Sequence, residues 1–194
     1  NNQSMTYGGT LPTLTETVTG YVNGETSSVI GGTPTATTSA SSTTNAGTAI
    51  INSSVSGLTA TNYNFVTGSN AVLTINKATL TITANNTSKT YGQTLTFAGT
   101  EFATSGLLNS DSVTSVTLTS TGAAATATVA GSPYAITPSV AVGNGLSNYT
   151  IGYSNGTLTV NKATLTVTAN NQSMTYGGTL PTLTETVTGY VNGE

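Results

Sequence analysis

Thr157-Leu158-Thr159-Val160-Asn161-Lys162-Ala163-Thr164-Leu165-Thr166-Val167-Thr168 is the stretch whose reading decides the fold. It holds two short runs in which apolar residues alternate with Thr: Leu158 and Val160, then Leu165 and Val167. Strict alternation gives one dry and one wet face, which is the pattern of a half-buried β-strand. Only Asn-Lys-Ala separates the two runs, too little for a loop. The same arrangement stands earlier as Val72-Leu73-Thr74-Ile75-Asn76-Lys77-Ala78-Thr79-Leu80-Thr81-Ile82-Thr83, with Lys77 and Lys162 85 positions apart. We read it as the last strand of one domain running into the first strand of the next, written twice.

The repetition extends in both directions. Asn1-Asn2-Gln3-Ser4-Met5-Thr6-Tyr7-Gly8-Gly9 returns as Asn85-Asn86-Thr87-Ser88-Lys89-Thr90-Tyr91-Gly92-Gln93 and again as Asn170-Asn171-Gln172-Ser173-Met174-Thr175-Tyr176-Gly177-Gly178. Residues 1–25 and 170–194 are identical throughout, so the units alternate as A-B-A and the array is expected to repeat every 169 residues. The spacing predicts a first unit over 1–76 lacking its first strand, a complete second unit over 77–161, and the start of a third over 162–194. The chain lacks an initial Met and begins inside a repeat, which reads as a window cut from something longer.

Composition agrees with β-structure and excludes much chemistry. Thr accounts for 46 of 194 residues, and its β-branched side chain suits a pleated surface wet on one side. Charged residues are 5%, net charge is −3, and there is no His, Cys or Trp. The only cations are Lys77, Lys89 and Lys162, so no basic footprint for nucleic acid exists. Without Cys or His the usual zinc, copper and iron sites cannot be built. No apolar run approaches the ~20 residues of a membrane-spanning helix.

Within the second unit the pattern predicts strands over 78–84, 88–91, 94–102, 113–119, 124–129 and 134–142. A closing hairpin is expected from Tyr149-Thr150-Ile151-Gly152-Tyr153 through Ser154-Asn155-Gly156 to residues 157–160, because Asn-Gly between alternating runs is a strong hairpin signal. The first unit repeats this with residues 62–66, Gly68-Ser69-Asn70 and residues 71–75. Gly106-Leu107-Leu108-Asn109-Ser110-Asp111-Ser112 and Gly20-Tyr21-Val22-Asn23-Gly24-Glu25-Thr26 share one form: Gly, two apolar residues, Asn, a small residue, an acid, a hydroxyl. This excursion leaves room for one helical turn. The expected core of the second unit is Leu80, Ile82, Tyr91, Leu95, Leu107, Val116, Leu118, Ile136, Tyr149, Ile151, Leu158 and Val160. The Tyr before each Gly (Tyr7, Tyr91, Tyr176) is expected to bury its ring and cap a backbone group with its hydroxyl.

Taken together, the Lys-Ala-Thr-Leu-Thr-Val-Thr-Ala-Asn-Asn strand, Thr-Tyr-Gly-x, the Gly-initiated excursion, Asn-Tyr and Asn-Gly-Thr-Leu-Thr-Val resemble the MBG domain of the Tyr-Gly-x type across essentially the whole chain. The resemblance implies tandem repeats in very large secreted bacterial surface proteins and adhesins, an extracellular or cell-surface location and a stalk or spacer role, with no catalytic residues to transfer. Members often carry Asp after Tyr-Gly, where this chain has Gly or Gln. The expected fold is all-β: small immunoglobulin-like β-sandwich units joined end to end, with a β-grasp-like unit carrying one short helix as the alternative.

Other chemistry is expected to be absent. Glu16, Glu25, Glu101, Asp111, Glu185 and Glu194 are the only acids, and nothing in their spacing requires a catalytic pair. No enzyme, cofactor or metal site is expected, although Asn23 with Glu25 and Asn109 with Asp111 offer oxygen ligands for a structural calcium ion. Glu16 shares strand parity with Leu14 and Val18 and is placed to point inward, where an ion pair with Lys or a Lys–Asn crosslink are the alternatives. Lys77 and Lys162 read as solvated charges at strand edges. The expected partners are neighbouring copies of the chain, through strand edges or end-to-end contacts. The competing reading is a module binding surface glycans or a host protein through Tyr21 and Tyr190.

Overall fold

The computed structural model describes residues 1–194. The chain divides into two compact units. The first comprises residues 1–81, 104–113 and 142–152; the second comprises 82–103, 114–141 and 153–194. These units do not coincide with the sequence repeats: the first gathers the first repeat with pieces of the second, and the second gathers the rest of the second repeat with residues 162–194.

Thirteen strands and three short 3₁₀ turns form, and no α-helix. In the first unit β1 (Gln3–Thr6), β2 (Thr35–Thr37), β3 (Gly47–Ser54) and β4 (Ala71–Asn76) make a sheet ordered β1-β4-β3-β2. The outer pair is parallel, with Gln3 opposite Leu73 and Thr6 opposite Asn76, whereas β3 runs antiparallel to β4. Met5, Ile51, Leu73 and Ile75 are buried there.

The second repeat rebuilds this sheet. β6 (Thr87–Thr90), β8 (Ser112–Thr119), β9 (Tyr134–Asn144) and β11 (Gly156–Asn161) are ordered β6-β11-β9-β8. The parallel pair recurs, Leu158 opposite Thr87 and Asn161 opposite Thr90. A further sheet is ordered β10-β5-β7, from β5 (Ala78–Ala84), β7 (Phe102–Ser105) and β10 (Tyr149–Ser154). β5 is its central strand, and Ala78, Leu80, Ile82 and Ala84 alternate into the core with Leu80 and Ile82 fully buried. Burying each of these two aliphatic side chains contributes roughly 1.5–3 kcal/mol. The third repeat supplies β12 (Thr166–Ala169) and β13 (Glu185–Thr188), which pair antiparallel.

The expected all-β architecture is therefore present, and β5 spans the expected residues. β4 ends at Asn76 and β5 starts at Ala78, so one exposed Lys77 connects a strand of one sheet to a strand of another. Three local expectations fail, the first of them, the closing hairpin, in both repeats, since residues 62–70 form no strand either. Residues 149–160 do not form a hairpin: β10 belongs to the β5 sheet and β11 to the β6 sheet. β11 is flanked by β6 and β9, so neither edge is open to β10. At Gly156 a Cβ would lie 2.5 Å from the Ala84 carbonyl oxygen, so the Asn-Gly pair makes a tight sheet-to-sheet corner. Residues 94–101 and 124–129 are irregular, their backbone spent on isolated bonds such as Leu95 N–H to the Ala123 carbonyl (2.9 Å) and Val116 N–H to the Gly99 carbonyl (2.9 Å).

The third failure is the helical turn. In the first repeat Asn23 and Gly24 both have positive φ (55° and 73°), and the Glu25 N–H donates to the Val22 carbonyl at 3.0 Å. Positive φ at both central residues makes a type I′ turn, incompatible with a right-handed helix. The second repeat forms the same turn at Asn109 and Ser110.

Of the expected core, Leu80, Ile82, Val116, Leu118, Ile136, Tyr149, Leu158 and Val160 are buried. Tyr91, Leu95, Leu107 and Ile151 are half-buried. Lys89 is an unforeseen core residue. It stands where the first repeat has Met5, and its Nζ donates to the carbonyls of Gln93 (2.7 Å) and Ala124, which satisfy the buried charge.

Candidate functional site

The residues that recur at the same unit position meet at the junctions between successive repeats. The first junction lies inside the first compact unit, where the Tyr7-Gly8 turn packs on the 106–112 excursion of the second repeat. The Tyr7 hydroxyl donates to Asp111 Oδ2 at 2.9 Å across 104 residues of sequence. The Tyr149 hydroxyl donates to the same oxygen at 2.8 Å and accepts the Leu108 N–H at 2.8 Å. The Tyr7 and Tyr149 rings meet edge to face, centroids 5.7 Å apart and planes at 82°, a favoured geometry for ring quadrupoles. Burial, and then the bond to Asp111, push the Tyr149 hydroxyl up to about 12.

Backbone contacts complete the clasp. The Gly8 N–H and the Asn109 side-chain amide both donate to the Ser42 carbonyl, at 3.0 and 2.9 Å. A Cβ on Gly8 would lie 2.6 Å from Leu108 Cδ1, so only Gly lets the turn approach this closely. Asn148, also buried, reaches back to the first repeat: its Oδ1 accepts the Ala46 N–H at 2.9 Å, and its Nδ2 donates to Asn45 Oδ1 at 3.1 Å.

The second junction, inside the second compact unit, repeats this construction. The Tyr91 hydroxyl donates to Glu194 Oε1 at 2.8 Å across 103 residues. The Gly92 N–H and the Asn192 side chain share the Ala125 carbonyl, at 3.2 and 3.1 Å. A Cβ on Gly92 would lie 2.7 Å from Val191 Cβ. Tyr-Gly on one repeat and apolar-Asn-small-acid on the next are thus two halves of one joint.

The excursion of the first repeat carries its own half. The Tyr63 hydroxyl donates to Glu25 Oε2 and accepts the Val22 N–H at 3.1 Å, and the bond to Glu25 raises the Tyr63 hydroxyl above its usual range. Tyr21 stacks edge to face on Tyr63 at 6.2 Å.

These contacts relocate several sequence expectations. The Tyr rings at the Tyr-Gly positions do bury at Tyr7, but the hydroxyl finds the acid of the following repeat instead of a backbone group. The acids considered for calcium, Glu25 and Asp111, accept tyrosine hydroxyls. Glu16 does turn inward, yet neither carboxylate oxygen has a hydrogen-bond partner, so no Lys is paired with it. Glu101, one position before the residue of the second repeat that matches Glu16, accepts the N–H groups of Ala98, Gly99 and Thr100, and these bonds lower its carboxyl below the usual range. A recurring Tyr and a recurring acid were both visible in the sequence; nothing in one repeat says that the partner lies in the next.

Fold and joints together define a tandem array of small all-β repeats whose recurring residues serve the contact between neighbours. The family model for the MBG domain (YGX type) matches residues 1–74, 80–159 and 165–194, and the chain belongs to this family. No curated protein and no solved structure matches it.

Proposed function

We propose that this chain is a spacer segment of a bacterial surface protein or adhesin, in which repeats are coupled so that the array carries a distant functional part away from the cell. The observation that carries the reading is the Tyr–acid clasp, made twice with equivalent partners: Tyr7 on Asp111 and Tyr91 on Glu194. A flexible string of beads has no use for a charge-assisted joint repeated between neighbours. A spacer does, because each joint removes hinge freedom. The residues that recur are spent on joints and turns, and none of the acids forms a pair with a nucleophile or base. This use of the residues and the family support a structural role outside the cell. No helix is long and apolar enough to cross a membrane.

The test is distance measurement by paired spin labels on either side of a joint. The clasp predicts a narrow distribution that broadens in Tyr7→Ala and Asp111→Ala. An unchanged distribution in both variants would remove the basis for the spacer reading.

A further inference from the structure

The second repeat places its first and last segments side by side, pointing the same way. The chain enters at Lys77, runs through β5, turns at Asn85-Asn86 and continues as β6. It leaves through β10, the corner at Asn155-Gly156, and β11, which ends at Asn161. β6 and β11 pair in parallel, with Thr87 opposite Leu158 and Thr90 opposite Asn161. β10 lies beside β5 in the other sheet. A Cβ on Gly152 would lie 3.9 Å from the Leu80 carbonyl oxygen, and one on Gly156 would lie 2.5 Å from that of Ala84. Both pairs of positions are 72 apart in the sequence, so β10 runs in the same direction as β5.

The β6–β11 ladder is closed at both ends. At its start the Thr157 N–H donates to Asn86 Oδ1 at 2.8 Å. Past its end the Tyr91 N–H donates to the Asn161 carbonyl at 2.9 Å. β11 is held from its other side by β9, and its Leu158 and Val160 are buried. The first repeat builds the same clamp inside the other compact unit. There β1 and β4 are parallel, the Val72 N–H donates to Asn2 Oδ1 at 2.9 Å, and the Tyr7 N–H donates to the Asn76 carbonyl at 2.9 Å. β4 is backed by β3, with Leu73 and Ile75 buried.

This direction decides how tension acts. A pull along the chain draws β6 toward its N-terminal end and β11 toward its C-terminal end. The bonds between the two strands lie across the pull, so the strands part only by sliding and all of those bonds stretch together. Antiparallel end strands under the same pull would open one bond at a time. Forced unfolding is set by the unfolding rate, so a unit with a modest core can still resist load. We infer that each repeat is a load-bearing element whose mechanical clamp is the parallel pair, β1–β4 in the first repeat and β6–β11 in the second. That tension reaches the chain in use rests on the spacer reading proposed above, whereas the resistance is a property of each repeat. Loss of the narrow spin-label distances would remove the first and leave the second standing.

The chain has no Cys, so introduced pairs are unique handles for single-molecule pulling of the whole 194-residue protein. Asn85→Cys with Lys162→Cys loads β6 and β11 from opposite ends, and Asn85→Cys with Asn155→Cys loads them from the same end. A second set leaves Asn85 in place: Lys77→Cys with Lys162→Cys for opposite ends, and Thr83→Cys with Asn155→Cys for the same end of β5 and β10. All five positions are exposed, so every double variant should melt with the wild type. In each set the opposite-end pair should hold to a force several-fold above that of the same-end pair. It should then yield in one step, releasing roughly 260 Å of chain for the Asn85 and Lys162 handles. Equal forces in the two geometries, or stepwise yielding of the opposite-end pairs at the force of the same-end pairs, would overturn the inference.

Discussion

Residues 1–25 and 170–194 have one sequence and two structures. In the first copy residues 3–6 form β1, and residues 16–19 form no strand. In the last copy the assignment is reversed: Glu185–Thr188 is β13, and residues 172–175 form no strand. Each copy makes the strand whose partner is at hand, β4 for β1 and β12 for β13. Some features are common to both. The Asn1 and Gln3 side chains donate to Thr15 Oγ1 as Asn170 and Gln172 donate to Thr184 Oγ1. Asn23 and Asn192 share a left-handed φ of 55° and 56°. Local polar contacts and turns thus follow from the local sequence, whereas strands need a neighbour to accept their backbone bonds.

The widest separation between the copies should come from their glycines. Gly8 and Gly177 have the same φ of 78°, but only at Gly8 does an added Cβ strike Leu108. Gly8→Ala should cost about 3 kcal/mol and Gly177→Ala about 1 kcal/mol, the shared part being left-handed strain and the excess overpacking. Equal losses in thermal unfolding would mean that the first junction does not hold Tyr7-Gly8 against the excursion. Next in size is the tyrosine pair. Tyr7 is 3% exposed and bonded to Asp111, while Tyr176 is fully exposed. Tyr7→Phe should destabilise by about 1 kcal/mol and Tyr176→Phe by nearly nothing.

A third perturbation sharpens the comparison of the excursions. Ser110 holds a φ of 67° at the place where the other two copies have Gly24 and Gly193. Ser110→Gly should stabilise by up to about 1 kcal/mol, read as a higher unfolding midpoint, because it removes left-handed strain. The mildest perturbation is pH. The Tyr149 hydroxyl is raised from 10.0 to about 12 in the folded unit. The unfolded chain ionises first, so this contribution is whole below pH 10 and is lost as pH rises through 12. Unfolding midpoints should fall over that window in the wild type and fall less in Tyr149→Phe, with tyrosinate absorbance reporting the ionisation.

Much of the fold was legible in residue spacing. The alternation in Ala78-Thr79-Leu80-Thr81-Ile82-Thr83-Ala84 placed β5 to the residue, since its period-2 pattern is that of a strand with one buried face. Asn23-Gly24 signalled a turn. The same Asn-Gly signal misled at Asn155-Gly156, where a local hairpin and a corner between sheets share one dipeptide and only the occupied edges of β11 separate them. Residues 94–101 alternate too, yet no neighbouring strand takes up their backbone. The candidate site was half legible: its tyrosines, glycines and acids all recur, but their pairings span more than a hundred residues and cross from one repeat to the next.

The sequence by itself determined the repeat length, the β-class, the turn residues and the set of side chains that recur. Tertiary structure alone decided which identical segment becomes a strand, which tyrosine is buried and which acid it meets. The reason is physical. A turn satisfies its hydrogen bonds within a few residues, so local chemistry suffices. A strand leaves a row of donors and acceptors that only another strand can satisfy, and where that strand comes from is a property of the assembled chain.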